Sequence, residues 1–309
     1  MSFLNDPGAM MVPAAESPFL DNLLDASDYS DAEREQIRSY ARDGFLIFDP
    51  EIEDFDAKVD RIISDLAPMY PDGNRRVADA WMFHEDVRAI AGAPKVLDTL
   101  RMLYQRRPIP FQTLNFDVGT QQCTHSDSLH FYSFPYRFMC GVWVALESTD
   151  EDNGPLHYYP GSHRLREYDM FDINLPSNYD HYESYEAFIA DLAKAHGFER
   201  KEAHLKKGQA IIWAANLLHG GQAVKDKRRT RQSQVTHYFF VDCVYYLPMN
   251  TEPFAGKIEF RECIDVATGE YITPMYKGKP ITPREGVDTM WRYPRPLPSF
   301  VKVPKGVPK

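Results

Sequence analysis

Between Pro108 and Val241 the chain reads as a series of strand-length runs separated by turn residues, and no other feature narrows its possible folds as much. The runs are 110–118, 121–127, 138–146, 154–159, 200–206, 209–213 and 232–241. Asn153-Gly154-Pro155, Pro160-Gly161-Ser162, Lys207-Gly208 and Gly220-Gly221 punctuate them with turn-forming residues. Helical signals come earlier. Ser30 and Glu33 have capping-box spacing, which opens a helix to about Arg42 that Asp43-Gly44 ends. Phe45-Leu46-Ile47-Phe48 is a short apolar strand. Val59, Ile62, Ile63 and Leu66 repeat at helical spacing within 55–66. Pro94 starts a further helix, with Val96, Leu97, Leu100, Leu103 and Tyr104 on its buried face. Helices first and many strands afterwards predict a mainly β fold with flanking helices packed on one side of an antiparallel double sheet. Such a core is a jelly roll, cupin-like, whose inward side chains surround a mouth.

Domain organisation follows from where the strand rhythm begins and stops. Residues 1–28 are Asp-, Pro- and Ala-rich and are expected to form an N-terminal arm, partly disordered. Residues 29–245 make the β domain, and 246–309, rich in Tyr and Pro, form a C-terminal extension packed on it. Within the domain, 164–200 interrupts the strands with an acidic and aromatic insertion. There Ser184 is expected to cap a helix bearing Tyr185, Phe188, Ile189 and Leu192 on one face, stopped by Gly197. An insertion of this length is either a lid or an ornament on the outside.

Composition restricts the partners. The 35 basic and 45 acidic residues give a net charge of −10, which argues against nucleic acid or an anionic membrane. The one basic cluster, Lys225-Asp226-Lys227-Arg228-Arg229, reads as a solvated hairpin turn. Cys123, Cys140, Cys243 and Cys263 have no CxxC pairing, which suits reduced thiols rather than a zinc site. The first residues lack a basic stretch followed by a long apolar run, so no signal peptide is read there and a cytoplasmic location is expected. No GxSxG, P-loop or dinucleotide fingerprint is present.

The chemistry-bearing motif is His125-Ser126-Asp127, followed far along the chain by His219 and then Arg231. Residues i and i+2 of a strand face the same way, so His125 and Asp127 reach one point in space. A histidine from a distant strand completes two imidazoles and a carboxylate, the facial triad of non-haem Fe(II) oxygenases. His163, in Pro-Gly-Ser-His, reads as a turn residue rather than a ligand.

The text around the motif resembles the phytanoyl-CoA dioxygenase family of Fe(II)/2-oxoglutarate oxygenases. The matching pieces are HSD at 125–127, GVWVALESTDEDNGPL from Gly141, PGSH at 160–163, LLHGG around His219 and RQSQVTHYFF from Arg231, in the right order over roughly 30–245. The resemblance implies a double-stranded β-helix, iron held by His125, Asp127 and His219, and 2-oxoglutarate and O2 as co-substrates. Related halogenases replace the carboxylate by a small residue, so Asp127 implies oxygenation. Arg231 is the expected anchor for the distal carboxylate of 2-oxoglutarate, because a guanidinium fork matches a carboxylate bidentately. Strand alternation puts residues 229, 231, 233, 235 and 237 on one face; this leaves Arg228 out of phase, and Arg229 lies nearer the hairpin end. Ser233 is placed to add a hydroxyl. The family often carries a small hydroxyl residue two positions after the distal histidine, where this chain has Gly221.

Gln112, Asn115 and Thr124 are candidates for the other end of the co-substrate, each equally explained by an ordinary strand hydrogen bond. Trp143 is a candidate wall of that pocket or plain packing. His130, Phe131, Tyr132 and Arg137, directly after the motif, are expected at the substrate mouth, with His157, Tyr158 and Tyr159 on a later strand. The implied activity is hydroxylation of a C–H bond in a small polar metabolite, with release of succinate and CO2. Two rivals remain: a cupin-like enzyme using a divalent metal without an oxoacid, and a non-catalytic jelly-roll binding protein. The sequence leaves open the substrate, hydroxylation against desaturation or cyclisation, and the oligomeric state.

Overall fold

The computed structural model describes residues 11–70, 76–281 and 298–302. Two packed antiparallel sheets form the core, with helices against the outer face of the larger one. The helices are α1 (Leu20–Asp25), α2 (Asp31–Asp43), α3 (Phe55–Leu66), α4 (Glu85–Ala91), α5 (Pro94–Tyr104) and α6 (Tyr182–Ala195). The strands that build the domain are β1 (Phe45–Phe48), β2 (Arg76–Ala78), β3 (Pro108–Phe116), β4 (Tyr132–Phe134), β5 (Met139–Ala145), β6 (Leu156–Tyr158), β7 (Lys201–Ala203), β8 (Ala210–Ala214), β9 (His219–Gly221), β10 (Ser233–Phe240) and β11 (Val244–Tyr246).

The larger sheet has the order β1-β8-β5-β10-β3-β2 and the smaller β7-β6-β9, while β4 pairs with β11. Alternation along the strands separates two cores. Val142 and Val144 of β5 and Ile212 of β8 face the helices, among Ile37, Val59, Ile62, Val87, Leu100 and Leu103. Trp143, Ile211, Trp213 and Val235 face the smaller sheet and meet Leu156, Tyr158 and Ala203. The site lies at one end of this inner layer.

Local signals in the helices hold up. Ser30 accepts from the Glu33 amide, and the Glu33 carboxylate accepts from the Ser30 amide, so α2 starts with a full capping box. Gly44 ends it at φ +79, a left-handed conformation that a side chain disfavours.

Several expectations are corrected. Residues 121–127 are not a strand; only His125 makes a β-bridge, to His219. The run is polar, with Gln121 at φ +53, and at Gly119 a Cβ would meet Val224 at 2.8 Å. The insertion helix begins at Tyr182, continuing a turn that Asn178 caps, and Ser184 is not its cap. Residues 11–28 are not a loose arm: Ala15 and Leu24 are buried in the main core, and Glu16 pairs with Arg137 at 2.7 Å. Residues 1–10 of that segment lie outside the described residues, as do 282–297 and 303–309 of the C-terminal extension. The described part of the extension packs on the domain through Cys263, Ile264, Val266, Ile272 and Val301. The short strands β2, β4, β9 and β11 and the helix α4 carried no sequence signal strong enough to read. Among the described residues no helix is long and apolar enough to cross a membrane.

Candidate metal centre and its two cavities

His125 and His219 meet across an antiparallel bridge, their backbone groups bonded in both directions at 2.9 and 3.0 Å. Paired residues of antiparallel strands place their side chains on the same side. The chain stays extended through Ser126 and then turns into a 3-10 helix at Asp127. Two extended residues therefore suffice to bring Asp127 beside His125, without the regular strand that the spacing suggested. Asp127 Oδ1 lies 3.6 Å from His125 Nε2, and Oδ2 lies 3.7 Å from His219 Nε2. One donor atom from each of the three falls within 4.8 Å of the others, and all three side chains are buried.

The surroundings fix the donor atoms. His125 Nδ1–H donates to the Cys123 carbonyl at 2.9 Å, and His219 Nδ1–H donates to the Leu217 carbonyl at 2.8 Å. Each ring therefore turns Nε2 toward the shared point, the tautomer a metal needs. Trp213 Nε1–H donates to Asp127 Oδ2 at 2.7 Å. Burial opposes ionisation of Asp127, but the neighbouring imidazoles of His219, His125 and His237 outweigh it and hold the carboxyl well below its usual range. Burial pushes His219 down to about 4, whereas at His125 burial is overcome by the hydrogen bond and charge of Asp127, which raise it. An ionised carboxylate and a neutral imidazole are the forms that bind a divalent cation.

Trp213 reaches Asp127 because the paired position on β5 is Gly141. A Cβ at Gly141 would lie 2.3 Å from the indole ring, so the tryptophan lies flat across the glycine.

Two cavities open from the cluster. The inner one, about 80 Å³, is lined by His125, Asp127 and His219 at one end and by Trp143, Thr120, Gly221 and Arg231 elsewhere. Arg231 is buried just before β10, its amide bonded to the Asp117 carbonyl. Burial lowers its pKa to about 10, which leaves it cationic at neutral pH. Its Nε and the Ser233 hydroxyl are buried polar atoms without a hydrogen-bond partner. Such orphans are costly unless a ligand meets them. The rival arginines are engaged at the surface, Arg228 with Asp226 and Arg229 with Asp150. At Gly221 a Cβ would stand 2.8 Å from Thr120 Oγ1, so a threonine hydroxyl occupies the space next to the missing side chain.

The outer cavity, about 410 Å³, shares His125, Asp127, Leu114 and His237 with the inner one and adds Gln112, Gln122, His130, Phe131, Tyr179, Tyr182, Ala78 and Arg76. Tyr179 and Tyr182 come from the insertion. Their hydroxyls lie 3.0 Å from the two ring nitrogens of His130, which burial pushes down to about 3 and keeps neutral.

Of the residues singled out in the sequence, His125, Asp127, His219, Arg231, Trp143, Gln112, His130 and Phe131 line these cavities. Ser233 lies beside them on the strand face that carries Val235 and His237. Seven others do not reach: His157, Tyr158 and Tyr159 line neither cavity, Tyr158 being part of the inner core, and four more turn away. Asn115 turns to the helix side of β3 and donates to Gln234, because successive strand residues alternate faces. Thr124 bonds His157 at 2.9 Å. Tyr132 is buried in the β4–β11 pair. Arg137 is tied to Glu16, Glu167 and the carbonyls of His163 and Leu165.

The structure adds His237, whose Nε2 is 3.6 Å from Asp127 Oδ2 and whose Nδ1 is 3.1 Å from Gln112 Oε1. Its signal was available: it shares the strand face of Arg231. Arg76, Gln122, Tyr179 and Tyr182 had no motif to mark them.

A jelly roll with a buried His-Asp-His cluster that could hold a metal ion defines the class, a cupin-like fold with the donor set of a facial triad. The phytanoyl-CoA dioxygenase profile matches residues 49–232, and the chain belongs to that family. It is 29% identical over 145 residues to mouse phytanoyl-CoA dioxygenase domain-containing protein 1, covering 44% of this chain and 50% of that one. It is 24% identical over 188 residues to rat peroxisomal phytanoyl-CoA dioxygenase, covering 58% and 48%. These matches span about half the length of those relatives. Among solved structures, EctD from S. alaskensis, crystallised with 2-oxoglutarate and 5-hydroxyectoine, superposes with a TM-score of 0.55 at 21% identity, covering 70% of this chain and 80% of that one. The non-haem α-ketoglutarate-dependent carbocyclase SnoK superposes with a TM-score of 0.59 at 14% identity, covering 83% and 95%. Both share the fold.

Proposed function

We propose that this chain is an Fe(II)- and 2-oxoglutarate-dependent dioxygenase that hydroxylates a C–H bond of a small polar metabolite, releasing succinate and CO2. The observation that carries this reading is a triad lining one cavity and sharing His125 and Asp127 with a second, the first also lined by a buried arginine with an unpartnered Nε. His125, Asp127 and His219 would hold the iron. Iron with 2-oxoglutarate and O2 supplies the oxidising chemistry; the protein supplies orientation and a dry site. Arg231 would take the distal carboxylate of the co-substrate, with the hydroxyls of Ser233 and Thr120 near it. Trp143 walls the inner cavity, and Trp213 keeps Asp127 aimed. The outer cavity is of a size for a small molecule. Its roof is the 164–200 insertion, which excludes water through Tyr179 and Tyr182 held on His130.

A cupin-like metal enzyme without an oxoacid gives the buried cation of Arg231 no task, and a binding module has no use for three converging donors. Succinate formation from 2-oxoglutarate by the Fe(II)-loaded protein separates the three readings. Turnover that needs both iron and Arg231 supports the dioxygenase. Iron binding with no succinate under any metabolite panel would return the chain to one of the other two.

A further inference from the structure

Arg76 lines the larger cavity, and it is the feature there that the proposed chemistry does not use. β2 is only three residues long, but its register is definite: Arg76 pairs with Phe116, Val77 with Asn115 and Ala78 with Leu114. Paired residues share a side of the sheet. Phe116 and Leu114 face the cavities, so Arg76 and Ala78 face them too, while Val77 is buried on the helix side with Asn115. Ala78 lines the same cavity as Arg76 and adds only a methyl group to its wall.

The charge balance of the wall is one-sided. Apart from the metal ligand Asp127, the charged side chain lining the outer cavity is Arg76, and among the described residues it makes no ion pair. The acidic residues of the insertion do not line this cavity. Asp172 is bonded to Arg166, and Asp169, Asp180, Glu183 and Glu186 are not part of the wall, although Glu186 lies within electrostatic reach of His125. What the insertion contributes is the two phenols. Burial raises the pKa of Tyr179, the positive charges of Arg261 and Arg76 work against it and the negative charge of Glu259 adds to it, so Arg76 lies within electrostatic reach of the roof.

We propose that the substrate is a small molecule with an oxyanion, carboxylate or phosphate, that docks on Arg76, its hydrogen-bonding or aromatic body lying between Phe131 and the roof tyrosines. Arg76 thereby sets the end-to-end direction in which the substrate enters, with the opposite end at the triad. This rests on the proposed oxygenase reading, since it takes the outer cavity as the substrate site. A guanidinium selects oxyanions over amines by charge and by its paired donors.

The test uses benzoate, benzyl phosphate and benzylamine as probes, titrated into the full chain in the presence of Mn(II) and saturating 2-oxoglutarate, so that Arg231 is already occupied. Wild type, Arg76→Gln, Arg76→Lys and Arg231→Gln are compared by ligand-observed NMR. Benzoate or benzyl phosphate should bind wild type, and weaken roughly fivefold or more in Arg76→Gln, with partial recovery in Arg76→Lys. The better of the two anions tells carboxylate from phosphate. Benzylamine should bind no better to wild type than to Arg76→Gln. Equal binding of benzylamine and the anions, or anion binding indifferent to Arg76, overturns the proposal. Binding of 2-oxoglutarate is measured in the same samples. Its loss in Arg231→Gln alone keeps the two sites separate. If no variant binds 2-oxoglutarate while anion binding still depends on Arg76, the oxygenase reading falls and the anion site stands.

Discussion

At the scale of single residues, the site depends on contacts that set which atom of each side chain points at the shared centre. Alanine at His125 or Asp127 should abolish Fe(II) binding, measured by calorimetry on the metal-free protein, and full iron occupancy in the double variant would reject the triad. Arg231→Ala should raise the apparent KM for 2-oxoglutarate roughly tenfold to a thousandfold, about 1.4–4 kcal/mol. Arg229→Ala should do much less, because its partner is Asp150 at the surface. Trp213→Phe keeps the ring but removes the donor to Asp127, and the metal affinity should fall about tenfold. An unchanged affinity would mean that the triad alone positions the carboxylate.

At the scale of elements, two strands must cross closely for that tryptophan to reach. Gly141→Ala places a methyl into the indole plane, in backbone that cannot open without disturbing the pairing of β5 with both β8 and β10. The variant should lose metal affinity along with about 1–3 kcal/mol of stability, the usual cost of overpacking, read by urea unfolding. The insertion is a second such element. Its helix buries Tyr185 and Ile189 against Leu129 and Leu218, so it is anchored, while Tyr179 and Tyr182 reach over the mouth. Replacing both tyrosines by alanine should raise succinate formation that is not matched by hydroxylated product, while iron affinity stays near wild type. Tight coupling in that variant would make the segment an external ornament.

For the whole molecule, buried histidines couple stability to pH. Burial pushes His157 and His163 each down to about 4. In the unfolded chain both titrate near 6.5. Between these values the unfolded state holds protons that the folded state does not, so stability rises with pH across the window and is lost as pH falls from about 6.5 toward 4. Each ring contributes roughly 1 kcal/mol per pH unit there. Glu16, Asp79 and Asp265, raised by burial, act in the opposite sense at lower pH. Unfolding midpoints of wild type and His163→Gln between pH 7 and 5 isolate one share. A shallower decline in the variant is expected, and parallel curves would mean that His163 accepts a proton in place.

What the amino-acid sequence determined by itself was whatever depends on neighbours along the chain. The capping box at Ser30, the left-handed stop at Gly44, the helix opened by Pro94 and the alternation of β5 and β10 are local, and each has the expected form. The closeness of His125 and Asp127 is also local, since two extended residues bring them together even though 121–127 is not a strand. Arg231 and Ser233 were readable because strand phase is fixed by chain geometry, and His237 shares that phase. Tertiary structure decided the rest. Asn115 was one residue out of phase, and Thr124, Tyr132 and Arg137 were drawn to His157, β11 and Glu16, partners that no local pattern reveals. Arg76, on a three-residue strand, acquires its place only from pairing with β3. The tyrosines of the insertion reach the mouth only because α6 packs on Leu129 and Leu218. Pairing and packing between segments distant in sequence are set by which surfaces exclude water together, and that is a property of the folded whole.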